Sequence, residues 1–193
     1  AAAANADWVV MGLHSHQSRD GGRNTSEVPS FLQRFARDCV DAGADAVVVT
    51  GPHTLRGIEV YRNSVVCYSL GNLFFQDDAF YRVPDTLDAN AGETVPDVRG
   101  DDASKETTSD VDHDADNWQS VVPECAFDAE GGLERVTLYP CTLQPDADRP
   151  RRGMPVLATG ERAQSILRTV ARRSAPFGTT VRIEDDVGIV EVS

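Results

Sequence analysis

The sequence predicts an α/β fold in which a strand–helix–strand unit is followed by antiparallel hairpins and a C-terminal helix. Two short apolar runs, Trp8–Leu13 and Ala46–Val49, are typical of strands that are covered on both faces. An amphipathic helical pattern lies between them, from about Pro29 to Ala42. Such a unit predicts two parallel strands joined by a right-handed crossover.

The predicted helix has an apolar stripe and recognisable ends. Its apolar side chains recur at spacings that place them on one face: Phe31, Leu32, Phe35, Ala36, Cys39 and Val40. Pro29 suits a first helical turn, and Gly43 suits the C-terminal stop. We therefore expect this stripe to pack against the sheet.

The later elements are predicted to be mostly antiparallel. A hairpin should follow the second strand directly, and residues 119–127 and 133–139 alternate around a glycine-containing loop as a further hairpin. Residues 159–173 carry a helical apolar stripe, and residues 181–184 and 188–192 close the chain as a last hairpin. We interpret these segments as the outer sheet and cover of a sandwich.

Length and charge limit the possible functions. The 193 residues are enough for one domain with a sizeable core, and the formal net charge is −13 with Lys105 as the only lysine. This charge argues against nucleic acid or an anionic membrane as a partner. No apolar run approaches the length of a membrane span, so we expect none in this chain. An Asp-rich, Lys-poor surface is typical of salt-adapted, halophile-like proteins.

Residues 84–117 differ in composition from the rest of the chain. Asp, Thr, Ala and Gly dominate there, and large apolar residues are few. Such a segment cannot bury enough apolar surface to offset the entropy that is lost on ordering. We therefore predict a mostly disordered insertion at 84–117, within a single domain that spans residues 1–193.

Histidines follow both strands of the predicted parallel unit. His14 and His16 come directly after the first strand, and His53 follows the second. Parallel strands bring their C-terminal ends to one edge, where α/β proteins keep their chemistry. Residues i and i+2 of an extended segment point to the same side, and neutral imidazole is a common metal ligand. We therefore predict a metal site at these three residues; the alternative is a pair of polar residues that open a loop.

Two more side chains near this edge are candidate substrate-binding residues. Arg56 follows the His53 loop and is a candidate for pairing with a phosphate, the alternative being an ordinary surface arginine. Asn72 is a candidate for orienting a substrate oxygen or a metal ligand. Its alternative role is to form a turn after Gly71.

Several of these segments together resemble a known family. Gly43–Val48, Gly51–His53, Leu55–Tyr61 and Tyr68–Asn72 resemble the bacterial capsule synthesis protein family of the CapA type, which is associated with poly-γ-glutamate capsules. Leu13–His16 is similar to the histidine motif of that family. The resemblance implies a calcineurin-like metallophosphoesterase α/β/β/α sandwich, of which this chain is the C-terminal portion. It also implies divalent metal ions (Mn, Zn or Fe) and an anionic polymer or phosphoester substrate.

Departures from the family pattern leave two functional classes open. Val49 and Thr50 stand where the family usually carries Gly-His, and its N-terminal half, which holds the other metal ligands, has no counterpart in this sequence. The first class is phosphoester hydrolysis or polymer handling in capsule or cell-envelope metabolism, incomplete in this chain and with its catalytic residues unassigned. The second is a non-catalytic binding or assembly subunit of the same fold. We expect this segment to be soluble; oligomeric state, metal identity and any cell-envelope association of the parent stay open.

Overall fold

A computed structural model describes residues 2–76, 115–129, 131–148 and 150–192. The insertion predicted at 84–117 lies outside these ranges except for its last three residues, which belong to a 3-10 helix, Ala115–Trp118. Within the described ranges the chain forms two α-helices and two sheets. None of the helices described is both long and apolar enough to cross a membrane.

The first sheet contains the predicted strand–helix–strand unit. Its strands are β1 (Val10–His14), β2 (Ala46–Thr50), β3 (Ile58–Tyr61) and β4 (Ser64–Cys67), in the order β1-β2-β4-β3. β1 pairs with β2 and β2 with β4 in parallel, whereas β3 pairs with β4 as an antiparallel hairpin. Helix α1 (Ser30–Asp41) connects β1 to β2. The predicted parallel pair is confirmed, with the two strands as direct neighbours.

The second sheet is antiparallel throughout, and a helix precedes its last hairpin. Its strands are β5 (Gln119–Phe127), β6 (Leu133–Thr142), β7 (Val156–Leu157), β8 (Val181–Glu184) and β9 (Val187–Val190). The order is β5-β6-β9-β8, and β7 pairs with β6. Helix α2 (Gly160–Ser174) lies between β7 and β8. The α/β class, the hairpins and the C-terminal helix are confirmed; the metallophosphoesterase-like sandwich stays a prediction.

Helix α1 covers one face of the first sheet. Its residues Leu32, Ala36 and Val40 are buried against Val47 and Val49 of β2. Since alternate residues of a strand point to opposite faces, Ala46 of β2 belongs to the cluster on the other side. The predicted apolar stripe of the helix therefore packs where the sequence placed it, although Phe31 and Phe35 stay exposed.

The other face of the first sheet shares a core with the second sheet and α2. Val65 and Cys67 of β4 belong to one buried cluster with Leu138 of β6 and with Ile166 and Leu167 of α2. The second sheet and α2 together therefore close the face that α1 leaves open.

Strand β1 differs from the expectation that both of its faces are covered. It is an edge strand whose burial alternates: Val10 is 67% exposed, whereas Met11 and Leu13 pack against the α1 cluster. No strand of the described ranges pairs with its outer edge. A continuous apolar run indicates that a strand is present but does not indicate where the strand lies in the sheet. The sequence pattern therefore could not distinguish this edge strand from a central one.

A buried carboxylate ties α1 to the far edge of the first sheet. Glu59 of β3 is 2% exposed and accepts hydrogen bonds from Arg37 of α1 and from the Tyr68 hydroxyl. The pKa of Tyr68 is raised mainly by burial and, to a smaller extent, by the hydrogen bond to Glu59. Arg37 also lies over the Tyr61 ring of β3, so this flank of α1 faces β3.

Gly57 lies where the chain passes closest to the end of α2. A Cβ atom at this position would lie 2.1 Å from the Arg173 carbonyl oxygen and 2.6 Å from the Phe177 ring. Both distances are far below van der Waals contact, and the nearest atom belongs to the backbone. The start of β3 can therefore approach α2 only if residue 57 has no side chain.

We expect Gly57→Ala to lower the free energy of unfolding by about 3 kcal/mol or more, because overpacking against backbone cannot be relieved by a rotamer change. Gly12→Ala is the matched control, since no atom lies within 4 Å of its would-be Cβ. It should change stability by less than about 1 kcal/mol. Urea unfolding followed by circular dichroism measures both, and equal effects of the two substitutions would contradict the assigned close approach.

Candidate functional site

The site begins where β1 and β2 end side by side. His14 pairs with Thr50 in the last rung of the parallel ladder, and the Ser15 amide donates to the Thr50 carbonyl at 2.8 Å. Gly51 follows with φ of 120°, and a Cβ atom there would come within 2.9 Å of the Ser15 carbonyl oxygen. His53 has φ of 59°, which is uncommon for a residue other than glycine. The turn after β2 is therefore pressed against the loop after β1.

This arrangement brings the three predicted histidines together. The ring centroid of His16 lies 4.8 Å from that of His14 and 5.4 Å from that of His53. The predicted convergence at the C-terminal edge of the parallel strands is confirmed. Their role as metal ligands stays a prediction.

Side-chain oxygens hold the histidines of the first loop. The Nδ1 atom of His14 lies 3.1 Å from Thr50 Oγ1, and the Nδ1 atom of His16 lies 2.8 Å from Asn24 Oδ1. The Nε2 atoms of the two rings are 3.0 Å apart. Thr50 thus supports a histidine from the position where the family carries one of its own.

Asn72 holds the third histidine in the same way. Its Oδ1 lies 2.8 Å from His53 Nδ1, while its Nδ2 donates to the Asn117 carbonyl at 3.0 Å and to the His53 carbonyl at 3.4 Å. The two carbonyl acceptors fix the amide orientation, so the oxygen faces the ring. The structure therefore contains a contact from Asn72 to a predicted ligand; binding of a substrate oxygen stays a prediction.

The acceptors determine which ring nitrogen carries the proton. Because an amide oxygen can only accept, Nδ1 of His16 and Nδ1 of His53 are the protonated nitrogens, and each Nε2 keeps a lone pair. The Thr50 hydroxyl can donate or accept. When it donates to Nδ1 of His14, that ring donates from Nε2 to His16, and the whole chain is satisfied with neutral rings. When the hydroxyl accepts instead, His14 must take the tautomer that is protonated at Nδ1; all three Nε2 atoms then present lone pairs, and the two facing Nε2 atoms no longer share a hydrogen bond.

The described ranges contain no group of three or more His, Cys, Asp or Glu side chains that is arranged to hold a metal ion. Here the Nε2 atoms of His14 and His16 face each other, and no carboxylate joins them. The three rings therefore lie together at one edge of the sheet. Two of them contact each other through their Nε2 atoms, and the three Nε2 atoms do not surround a shared metal position.

Arg56 is buried, so the alternative of a surface arginine is wrong. Its side chain is fully buried, and its Nε donates to the Thr25 carbonyl at 2.9 Å. Its Nη2 donates to the Gln17 carbonyl and to Ser18 Oγ, both at 2.9 Å. Burial lowers the pKa of Arg56 to about 10. The guanidinium is directed at the loop between β1 and α1; its pairing with a phosphate stays a prediction.

That loop forms one wall of an open cleft beside the histidines. The cleft has a volume of ≈ 440 Å³ and is lined by His14, Ser15, His16, Gln17, Gly21 and Arg23. Among the side chains that the structure describes, its lining contains a cationic one and no acidic one. In a chain with a net charge of −13, this is a local reversal of the overall charge.

A polar cluster fastens the His53 turn from the other side. Arg173 of α2 donates to the Leu55 carbonyl at 2.7 Å and to Thr54 Oγ1 at 3.3 Å, and it forms an ion pair with Asp116. Asp116 also accepts a hydrogen bond from Thr54 at 3.0 Å. The residue next to His53 is therefore tied to α2 and to the segment that leads into β5.

Residues 1–77 match the family described as bacterial capsule synthesis protein PGA_cap. This match and two Bacillus relatives support a CapA-type capsule synthesis family for the N-terminal part of this chain. The PGA biosynthesis protein CapA of Bacillus subtilis (strain 168) is 40% identical over 82 residues, which are 42% of this chain and 20% of that protein. The capsule biosynthesis protein CapA of Bacillus anthracis is 39% identical over 83 residues, which are 42% of this chain and 18% of that protein.

Two longer relatives align with nearly the whole chain. The uncharacterized proteins y4sH and y4uA of Sinorhizobium fredii (strain NBRC 101917 / NGR234) are each 34% identical over 205 residues. The alignment covers 97% of this chain and 42% of each relative. This chain therefore spans less than half the length of those relatives.

The CapA-family match contains the three histidines but not every residue that supports them. Thr50 and Asn24 lie within it, and sequence reasoning missed their roles. Asn24 lies eight residues beyond His16 in an irregular loop, where no periodicity indicates that it folds back. Asp116 and Arg173 lie outside the match, and their 57-residue separation gives no pattern that would pair them.

We expect Arg56→Met to loosen the cleft wall before the rest of the fold. The substitution leaves the Gln17 and Thr25 carbonyls without their donor, and it should lower the free energy of unfolding by at least about 2 kcal/mol. Hydrogen exchange followed by mass spectrometry should show faster exchange in residues 15–28 than elsewhere. Arg62→Met is the control, because the Arg62–Asp41 pair is exposed and should contribute at most about 0.5 kcal/mol. A uniform increase in exchange along the chain would contradict the local role.

The ion pair of Asp116 predicts a stability difference that depends on pH. Burial alone would raise the pKa of Asp116, but the hydrogen bond and charge of Arg173 outweigh it and hold the pKa below its usual 3.8. The contribution of a carboxyl with a depressed pKa is full above the unfolded-state value and is lost as the pH falls through the folded-state value. Asp116→Asn should therefore cost about 1–2 kcal/mol at pH 7, and the cost should shrink once the pH falls below the usual carboxyl pKa and continue to shrink as it passes the depressed folded-state value.

Chemical denaturation of both proteins across this pH range measures the effect. Asp148→Asn serves as the control, since its pair with Arg151 is exposed on both sides and should contribute about 0.5 kcal/mol or less. A cost for Asp116→Asn that shows no decrease even at the lowest pH where the protein is folded would show that the ion pair does not stabilise the fold.

Proposed function

We propose that this segment supplies His14, His16 and His53 as ligands of a divalent metal ion in a CapA-type protein. The parent protein would hydrolyse a phosphoester, or handle an anionic polymer, in capsule, poly-γ-glutamate or cell-envelope metabolism. The observation that carries the proposal is the support of each ring at Nδ1 by a side-chain oxygen. Such support leaves Nε2 as the ligating atom, and it is the usual arrangement around metal-binding histidines.

The separation of two of the nitrogens also fits an ion. The Nε2 atoms of His14 and His16 lie 3.0 Å apart, so both would reach one divalent ion. Binding would require His14 to carry its proton at Nδ1, where the Thr50 hydroxyl would accept it. The identity of the ion (Mn, Zn or Fe) is left open by three imidazole ligands.

A divalent ion in such a site would polarise a phosphoryl or carbonyl oxygen of a bound substrate. The residues of this chain would orient the ligands: Thr50, Asn24 and Asn72 fix the three rings, and Arg56 fixes the loop that carries His16. No carboxylate of the described ranges joins the histidines, so we propose that the remaining ligands come from another part of a longer protein.

The open edge of β1 is a suitable place for that part to join. Successive residues of an α-helix are rotated by about 100° around its axis. Viewed along α1, Phe31 and Phe35 are therefore rotated by about 120° and 160° from Arg37, both in the same direction. Arg37 faces β3, so the two exposed phenylalanines lie on the flank of the helix toward β1. The exposed Val10 lies at the same edge. An added strand at β1 would cover these apolar side chains and would end next to His14.

The second candidate function is a non-catalytic binding or assembly subunit with the same fold. Two points favour it: Thr50 stands where the resemblance to the family implies a histidine, and no complete metal-ligand group is present among the described residues. In this case the histidine chain would be a structural hydrogen-bond network. Binding of metal to this chain separates the two candidates.

We expect this chain to bind one Mn²⁺ or Zn²⁺ weakly in a calorimetric titration, and His53→Ala to abolish that binding. The control is His113→Ala, which removes the remaining histidine of the sequence and should leave binding unchanged. Without further ligands, hydrolysis of a chromogenic phosphodiester by this chain alone should be close to background. Identical titrations of the wild-type chain and His53→Ala would reject the metal site and favour the non-catalytic function.

A further inference from the structure

Arg23 lies on the cleft beside the histidines and has no acidic partner. It lines the cleft together with His14 and His16, and its side chain is exposed. No carboxylate within the ranges that the structure describes forms an ion pair with it. Arg19, four residues earlier in the same loop, instead pairs with Glu27 at 3.6 Å. The charge of Arg23 is therefore available to a ligand in the cleft.

The backbone places Gln17 opposite Arg23. The two residues form an isolated antiparallel bridge, and the turn between them is closed by a hydrogen bond from the Ser18 amide to the Gly22 carbonyl at 2.8 Å. Side chains that are directly opposite in an antiparallel pair project on the same face, with Cβ atoms about 5 Å apart. Gln17 and Arg23 are therefore neighbours on one wall of the cleft.

The amide of Gln17 is oriented so that its donor side is available. The Ser15 hydroxyl donates to Gln17 Oε1 at 2.7 Å, so the oxygen is occupied and Nε2 can donate elsewhere. Among the residues described, no acceptor is hydrogen-bonded to this Nε2. The wall of the cleft thus presents an amide N–H₂ group beside a guanidinium.

We propose that Gln17 and Arg23 form a binding site for an oxyanion, either a phosphate or a carboxylate group, at the histidine cleft. A guanidinium binds such groups through paired charge-assisted hydrogen bonds, and a neighbouring amide adds a further donor. The site would hold an anionic group of the ligand next to the histidines. This inference rests on the proposed function only in its choice of the histidine cleft as the place where a ligand binds.

The test is a calorimetric titration of the metal-free chain with inorganic phosphate and, separately, with glutarate as a carboxylate probe. Arg23→Ala should weaken binding by about tenfold or more, because a hydrogen bond to a charged group is lost together with its charge. Gln17→Ala should weaken it by a few-fold. Arg19→Ala, which removes a paired arginine from the same loop, should change it by less than twofold. The tighter of the two probes identifies the oxyanion class.

Circular dichroism melts of all variants should coincide, since the substituted side chains are exposed. Failure of both probes to bind the wild-type chain, or equal effects of Arg23→Ala and Arg19→Ala, would overturn the proposal. Titration of Arg23→Ala with Mn²⁺ or Zn²⁺ tests separately whether the proposed metal site is intact. Unchanged metal binding with lost anion binding supports both proposals, whereas anion binding without metal binding removes only the metal site.

Discussion

The candidate site depends on one buried guanidinium. Arg56 follows the turn that carries His53, and it donates to three oxygens of the loop that carries His16. Taking an arginine out of water costs several kcal/mol unless its donors are matched by acceptors. Here Nε and Nη2 are matched by three acceptors, two of them backbone carbonyls of a loop without regular structure, whereas Nη1 has no hydrogen-bond partner among the described residues. One buried charge therefore fixes the shape of the cleft wall and its distance from the second strand.

Within this frame the histidines can exist in two proton arrangements. The Thr50 hydroxyl and the His14 tautomer can both reverse without moving a heavy atom, whereas the Asn24 oxygen can only accept. Histidine at position 50 would add a possible ligand but would lose this rotatable hydroxyl. A threonine there is thus compatible with a metal-ligating His14 and equally with a neutral network. This is why the departure from the family pattern does not by itself exclude metal binding.

The sequence predicted the elements well and their surroundings less well. Periodicity and strand-end position were enough for α1, the parallel pair of β1 and β2, and the meeting of His14, His16 and His53, because these follow from local pattern and crossover geometry. The edge position of β1 and the burial of Arg56 were not predictable. Both depend on contacts between residues far apart in the chain, and an arginine after a turn has the same local pattern whether it is buried or exposed.

The net charge of the whole chain differs in sign from the charge at the cleft. A net charge of −13 argues against anionic partners at long range, but exposed charges are screened within about 10 Å at moderate ionic strength. A ligand in the cleft would meet Arg23, Gln17 and the imidazoles of His14 and His16 at contact distance. Overall repulsion and local attraction together favour a ligand with a compact anionic group over an extended polyanion lying across the surface. If the ligand is a polymer, the cleft should therefore hold a single charged group or a chain end, with the rest directed away from the acidic surface.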